Sequence, residues 1–277
     1  MMSHGAAIAL RMKRLALDHI TVVEADPAAL ARIARATGCD GICLFLHAME
    51  VLPQMPAFDL RSDPAARRDV ARVMEDLGVG LDVAYPFTLS GRTDIADFAG
   101  AMDCAAELGA GMLNVLLYDR DPARRADVFG QFCEMARAFG HKVAVEFYPP
   151  SRVPSLAAAL ELVRAVGRPG DVGINVDLLH LMRSGGTIRE LAAVPADFVL
   201  YGQVADGPAQ APADPEREAS SARLLCGEGD FDVIAFVKAL PVDCSVSIEI
   251  PRDAAIGTET PMVRASRAVE SLRTAVC

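Results

Sequence analysis

Residues 142–150 read KVAVEFYPP, and the way this run ends decides the fold. Val143 and Val145 alternate with Ala144 and Glu146, which is the period of two that a β-strand imposes on its side chains. Two prolines then stop the run. Two later stretches have the same form: GINVDLLH at 173–180 and SVSIEIP at 245–251. In each, the β-branched residues (Ile174 and Val176; Val246 and Ile248) fall on one face. The other face carries small or polar residues and ends on an acid: Glu146, Asp177 and Glu249. A strand that shows its branched residues to outer helices must aim the alternate set at the inside of a closed sheet.

Outward from these three runs, short apolar segments alternate with helical patterns along the whole chain. Strand candidates begin near Leu15 (LALDHI), Gly41 (GICLFLH), Gly80 (GLDVAYPF), Gly111 (GMLNVLLY), Lys142, Val172, Phe198 (FVLYGQVAD) and Cys244 (CSVSIEI). Between them, residues 26–38, 63–78 and 121–140 open with Asp-Pro and close on Gly, and 93–109 opens with Thr and closes on Gly. These are helix start and stop signals. Thr187 and Glu190 add a capping box. Strands alternating with helices at this spacing imply βαβ units and a parallel sheet. Eight such units in 277 residues predict a single (β/α)8 TIM barrel, with residues 1–13 as an N-terminal extension. A doubly wound open sheet is the alternative, but no G-x-G-x-x-G follows the first strand.

The net charge of −10 argues against nucleic acid and against an anionic membrane as partners. The seven cysteines form no C-x-x-C pair and predict reduced, buried thiols. The N-terminal MMSHGAAIALRMKR lacks the order of a signal peptide, and no apolar run approaches the ~20 residues of a membrane span. A cytoplasmic protein acting on a small molecule is the expectation. Association with copies of itself stays open.

The three acids fall at the last position of their strands, the rim where barrels of this kind build active sites. Gln203, in LYGQVAD, takes the equivalent place on strand seven. Converging carboxylates raise one another's pKa unless a cation offsets them. A divalent ion held by Glu146, Asp177, Gln203 and Glu249 would do so. With oxygen donors throughout, Mn²⁺ or Mg²⁺ is expected over Zn²⁺. The competing reading is that one or two of the acids pair with Arg or Lys residues of the barrel.

Taken together, these residues resemble the xylose isomerase-like TIM-barrel family of sugar isomerases, epimerases and related lyases. The resemblance runs over most of the chain and is sharpest from residue 142 onward. It implies that Glu146 in VEFYP, Asp177 in NVDLLH, Gln203 in GQVADGP and Glu249 in SIEIP hold one divalent metal. It also implies that His180, in the D-x-x-H spacing, acts on the substrate. RLLCGEGDFD at 223–232 resembles the family's loop after strand seven, which makes Arg223 a substrate contact; Cys226 stands where many relatives have Pro. The implied chemistry is proton transfer next to a carbonyl, with Glu146 or Glu249 doubling as acid/base. Isomerisation or epimerisation of a small keto sugar is the leading reading. A dehydratase (lyase) of the 3-dehydroshikimate or inosose type is the second, and a non-catalytic sugar- or partner-binding barrel the third. The lack of Trp disfavours true xylose isomerases, and the few histidines disfavour the three-zinc repair endonucleases, among them His4 and His141 far from any rim.

Smaller signals remain open. Arg183 with Ser184, Gly185 and Gly186 would cradle an anionic group, or simply form a strand-to-helix turn. His47 and Asn114 would reach the pocket, or serve structure. Asp206 reads as a turn cap rather than a ligand, and His19 carries no role. Residues 207–221, polar and rich in Pro and acids, form a lid or an exposed loop.

Overall fold

Each of the eight apolar runs forms a strand: β1 Leu15–Asp18, β2 Gly41–Phe45, β3 Gly80–Leu89, β4 Met112–Leu117, β5 Lys142–Glu146, β6 Val172–Asp177, β7 Val199–Val204 and β8 Ser245–Ile248. The structure, a computed structural model, describes residues 13–276. His4, Cys277 and the expected N-terminal extension, Lys13 apart, lie outside the described residues. All strands pair in parallel and in chain order. β1 then pairs with β8, Leu15 beside Val246 and Leu17 beside Ile248, so the sheet closes into a barrel and has no open edge.

The helices follow from local chemistry. α1 Pro27–Ala36, α2 Pro64–Leu77 and α4 Pro122–Ala138 each begin with Pro behind an Asp whose carboxylate accepts the first free amides, at Asp26, Asp63 and Asp121. α3 Ala99–Glu107 follows a 3₁₀ turn capped by Asp94. α5 Leu156–Val166 is capped by Ser155, and α7 Ile188–Ala192 carries the expected capping box. α6 Leu178–Arg183, α8 Pro215–Ser221, α9 Val233–Ala239 and α10 Pro261–Val276 complete the ring. Among the described residues no helix is long and apolar enough to cross a membrane. Cys39, Cys43, Cys104, Cys133, Cys226 and Cys244 are buried free thiols.

Strand parity sorts the core into two layers. Leu15, Leu17, Val143, Val145, Ile174, Val176, Val246 and Ile248 belong to the large cluster between sheet and helices. Ala16, Cys43, Val83, Tyr85 and Tyr201 form a separate cluster inside the barrel, with Cys43 Sγ 3.2 Å from the Tyr201 hydroxyl. The register sets Glu146 beside Asn175, Asp177 beside Gln203, and Gln203 beside Ser247. The polar ends of β5 to β8 therefore rise together around one rim.

Candidate metal centre

Asp177 ends β6 with its backbone still extended, and its Oδ1 accepts the His180 amide at 3.1 Å. The same residue thus closes the strand and caps α6. Because His180 sits three residues on, the first turn of α6 carries its imidazole back over the rim. Nε2 of His180 lies 3.4 Å from Oε1 of Glu146. Oε2 of Glu146 accepts from Asn114 Nδ2 at 2.6 Å, so both oxygens of this carboxylate are oriented.

Arg223 comes from the loop after β7 and inserts between two acids. Its Nη1 donates to Asp177 Oδ2 at 2.5 Å and its Nη2 to Glu249 Oε1 at 2.7 Å. Its Nε donates to the Ala219 carbonyl. Burial would push Asp177 up, but the Arg223 guanidinium and His180 outweigh it and hold this carboxyl below its ordinary value. Glu249 goes the other way. Burial, with the negative charge of Asp18, Asp177 and Glu146 adding to it, drives its carboxyl well above the usual range despite Arg223.

Beneath these groups runs a chain of amides. Asn175 Nδ2 donates to Asn114 Oδ1 at 3.0 Å and to Gln203 Oε1 at 2.6 Å. Gln203 Nε2 then faces the Tyr85 hydroxyl at 3.0 Å, Asp18 Oδ2 at 3.3 Å and, in a short contact, Glu249 Oε2. Tyr85 donates to Asp18 at 2.8 Å. Burial lifts Asp18 to about 6, with the Tyr85 hydrogen bond opposing. One buried acceptor inside the barrel, Asn175 Oδ1, has no hydrogen-bond partner.

These side chains fit a divalent cation. Ligand atoms of Glu146, Asp177 and His180 lie within 4.8 Å of one another. Four carboxylates, those of Asp18, Glu146, Asp177 and Glu249, converge on a single permanent cation, Arg223. The donor set differs from an all-oxygen ring, since His180 adds an imidazole to it. Gln203 turns its amide nitrogen toward the acids and its oxygen toward Asn175. The acids also answer in part to an arginine, which the sequence left as the competing reading.

The model of the xylose isomerase-like TIM barrel family matches residues 31–275. The chain belongs to this family. A 3-dehydroshikimate dehydratase of Pseudomonas aeruginosa is 28% identical over 273 residues, which is 89% of this chain and 39% of that protein. The chain therefore spans about two fifths of that relative. Among solved structures, the IolI protein with a bound zinc atom has a TM-score of 0.76 at 20% identity, covering 95% of this chain and 98% of its own. A D-psicose 3-epimerase solved in the presence of D-fructose has a TM-score of 0.71 at 13% identity, covering 94% and 96%. These likenesses establish the fold. Two of these relatives are named as enzymes, one a dehydratase and one an epimerase.

Of the family positions read from the sequence, Glu146, His180, Gln203, Arg223 and Glu249 line one cavity together with Asn114, and Asp177 stands fully buried behind them, joined through Arg223. The cavity has a volume of about 330 Å³. His47 is not among its lining residues; its Nδ1 faces the Ala48 carbonyl and its backbone pairs with Asp59. Arg183 stands outside as well. Its Nε and Nη2 grip Glu218 at 2.7 and 2.6 Å, Nη2 also donates to the Pro208 carbonyl, and the guanidinium lies over Phe231. That engagement leaves no free fork for an anion. Asp206 is a cap: its carboxylate accepts the amides of Gly207, Gly227, Gly229 and Phe231. A Cβ on Gly229 would overlap that carboxylate, which explains the glycine. His19 is fully buried, with Nε2 on the Ala25 carbonyl.

Sequence reasoning missed Asp18, Tyr85 and Asn175. Asp18 had the signal, since it ends strand one on the inward face as the other acids do. Tyr85 and Asn175 lie within strands, where side-chain type alone does not mark a site.

Proposed function

We propose that the chain is a divalent-metal-dependent isomerase or epimerase that moves a proton on the carbon next to a carbonyl in a small hydroxylated substrate. The observation that carries this is the convergence of Glu146, Asp177 and His180 within 4.8 Å, with Glu249 and Gln203 on the same rim. Glu146, Asp177 and Glu249 would hold the ion, with His180 or Gln203 completing the set. Mn²⁺ or Mg²⁺ suits the carboxylates, and the His180 nitrogen brings Zn²⁺ into the comparison. When bound, the ion would polarise the carbonyl and lower the cost of the enolate.

The chain's own residues supply the proton movements. Glu146, fixed at Oε2 by Asn114, presents Oε1 to His180, and this pair can take a proton and pass it on. Glu249 lines the same cavity and is the second carboxylate placed to return a proton. Arg223 keeps Asp177 and Glu249 in place and excludes water from between them. A second reading, a dehydratase, is supported by the 28% identical relative. It uses the same proton abstraction but expels a β-hydroxyl, so an absorbing enone product would identify it.

The deciding experiment is elemental analysis of stripped protein re-equilibrated with Mn²⁺, Mg²⁺ and Zn²⁺, alongside Asp177→Asn. One ion per chain in the wild type, lost in a variant that keeps its fold, is the expected result. The same ion content in both, or none in either, would sink the metal reading and favour a binding barrel. In that case Glu146→Gln would leave ligand binding intact.

A further inference from the structure

Among the described residues, every charge that lines the cavity is negative or already engaged. Asp18, Glu146 and Glu249 line it, and the only arginine among its lining residues is Arg223, clamped by Asp177, Glu249 and the Ala219 carbonyl. No lysine lines it. The next guanidinium, Arg183, is held by Glu218. The charge of Arg223 plus a divalent ion would already be faced by the carboxylates of Glu146, Asp177, Glu249 and Asp18. A carboxylate or phosphate on the substrate would enter a site with no surplus positive charge to meet it.

Part of the cavity wall is apolar. Phe45, Met49, Leu52 and Leu116 line it, and Val51 and Tyr118 continue it to the mouth, where they remain 78% and 38% exposed. Phe45 packs on Tyr85, ring centroids 5.1 Å apart and planes tilted by 35°, which adds aromatic surface to the wall. A sugar chain laid there would leave hydroxyls without partners, and a hydroxyl taken from water needs one. A methylene or ring edge gains about fourfold in affinity per buried CH₂.

We propose that the substrate is an uncharged hydroxy-carbonyl compound with an apolar or flat body. Its polar head faces Glu146, His180 and Glu249, and its body lies on the Phe45–Leu52–Leu116 wall. This rests on the proposed proton-transfer reading for the head and on the cavity alone for the body.

The test is calorimetric titration of the Mn²⁺-equilibrated chain with three probes. These are 2-hydroxyacetophenone, which is neutral and flat; its 4-carboxylate, the same body with a charge; and D-fructose, neutral and polar throughout. The expected result is that 2-hydroxyacetophenone binds at least tenfold tighter than either of the others. Leu116→Asn and Leu52→Asn, each checked for an unchanged melting temperature, should weaken it at least fivefold and leave D-fructose unaffected. Equal or tighter binding of the carboxylate, preference for D-fructose, or no binding of 2-hydroxyacetophenone each overturns the inference. Ion content measured on the same samples reports separately on the proposed reaction, so failure of one is told apart from failure of the other.

Discussion

Arg223 faces two acids that would otherwise face each other, and its removal should be costly. Breaking a buried ion pair leaves an uncompensated charge and typically costs about 3–5 kcal/mol. Both partners here are buried, with side-chain exposures of 2% for Arg223, 0% for Asp177 and 9% for Glu249. Arg223→Met should therefore lower the stability of ion-free protein by about 3 kcal/mol in urea denaturation. Added Mn²⁺ should restore more of it than the same ion adds to the wild type, because the ion then takes over the arginine's role. A loss below about 1 kcal/mol would mean that water already screens the pair. Asp18 makes a prediction of the opposite sign to an ordinary salt-bridged acid. Its carboxyl is raised from 3.8 to about 6, chiefly by burial, so the folded chain holds this proton to higher pH than the unfolded chain. Its contribution is fully present below about pH 4 and is lost as pH rises through 6. Two units correspond to about 3 kcal/mol. In ion-free protein, Asp18→Asn should match the wild type near pH 4 and exceed it in stability near pH 7. Parallel stability profiles for the two proteins would refute this.

At the scale of elements, the segment after β7 decides how the rim is covered. Residues 207–221 were expected as a lid or an exposed loop, and they divide between the two. Residues 209–217 are exposed, while Glu218 and Ala219 of α8 are buried against the site. Two devices hold this cover. The Asp206 carboxylate gathers four loop amides, and its backbone pairs with Leu224, next to Arg223. The Arg183–Glu218 pair ties α8 back to α6. The Asp-Pro at 214–215 carried the same start signal as α1, α2 and α4, but seven residues are too short to show helical periodicity. No sequence pattern announces a partner across 35 residues, which is why Arg183 read as an anion cradle. Glu218→Gln should leave Arg183 buried without its charge partner. Cleavage by protease within 207–221 should then accelerate about tenfold or more while the midpoint of global unfolding moves little. Unchanged cleavage would mean that Asp206 alone holds the cover.

Across the whole molecule, what the chain reveals in advance depends on how local the cause is. The barrel was legible because each βα unit carries its own strand pattern and helix cap, and eight of them leave few closures. The acids of β5, β6 and β8 were legible because strand parity is strict there. Tyr85 was not, since β3 shifts register between Ala84 and Phe87 and parity cannot be counted through the irregularity. Asp18 hid behind a second role, because it also caps the 3₁₀ turn His19–Val22, the usual reading of an aspartate after a strand. The closure between first and last strands is the least local feature, and one buried side chain clasps it. Thr21 Oγ1 donates to the Ile248 carbonyl and accepts the Ile250 amide, both at 2.9 Å, on either side of Glu249. Thr21→Val keeps the shape and strands both backbone groups in the core, at about 1–3 kcal/mol each. The urea midpoint should fall with an unchanged slope, and the Ile250 amide should exchange with solvent faster than its neighbours on β7. Thr21→Ser, which keeps the hydroxyl, should recover most of both. If Val and Ser behave alike, packing rather than the clasp holds the seam. If the Ile250 amide exchanges no faster in Thr21→Val, the barrel closes without it, and Glu249 owes its position to Arg223 alone.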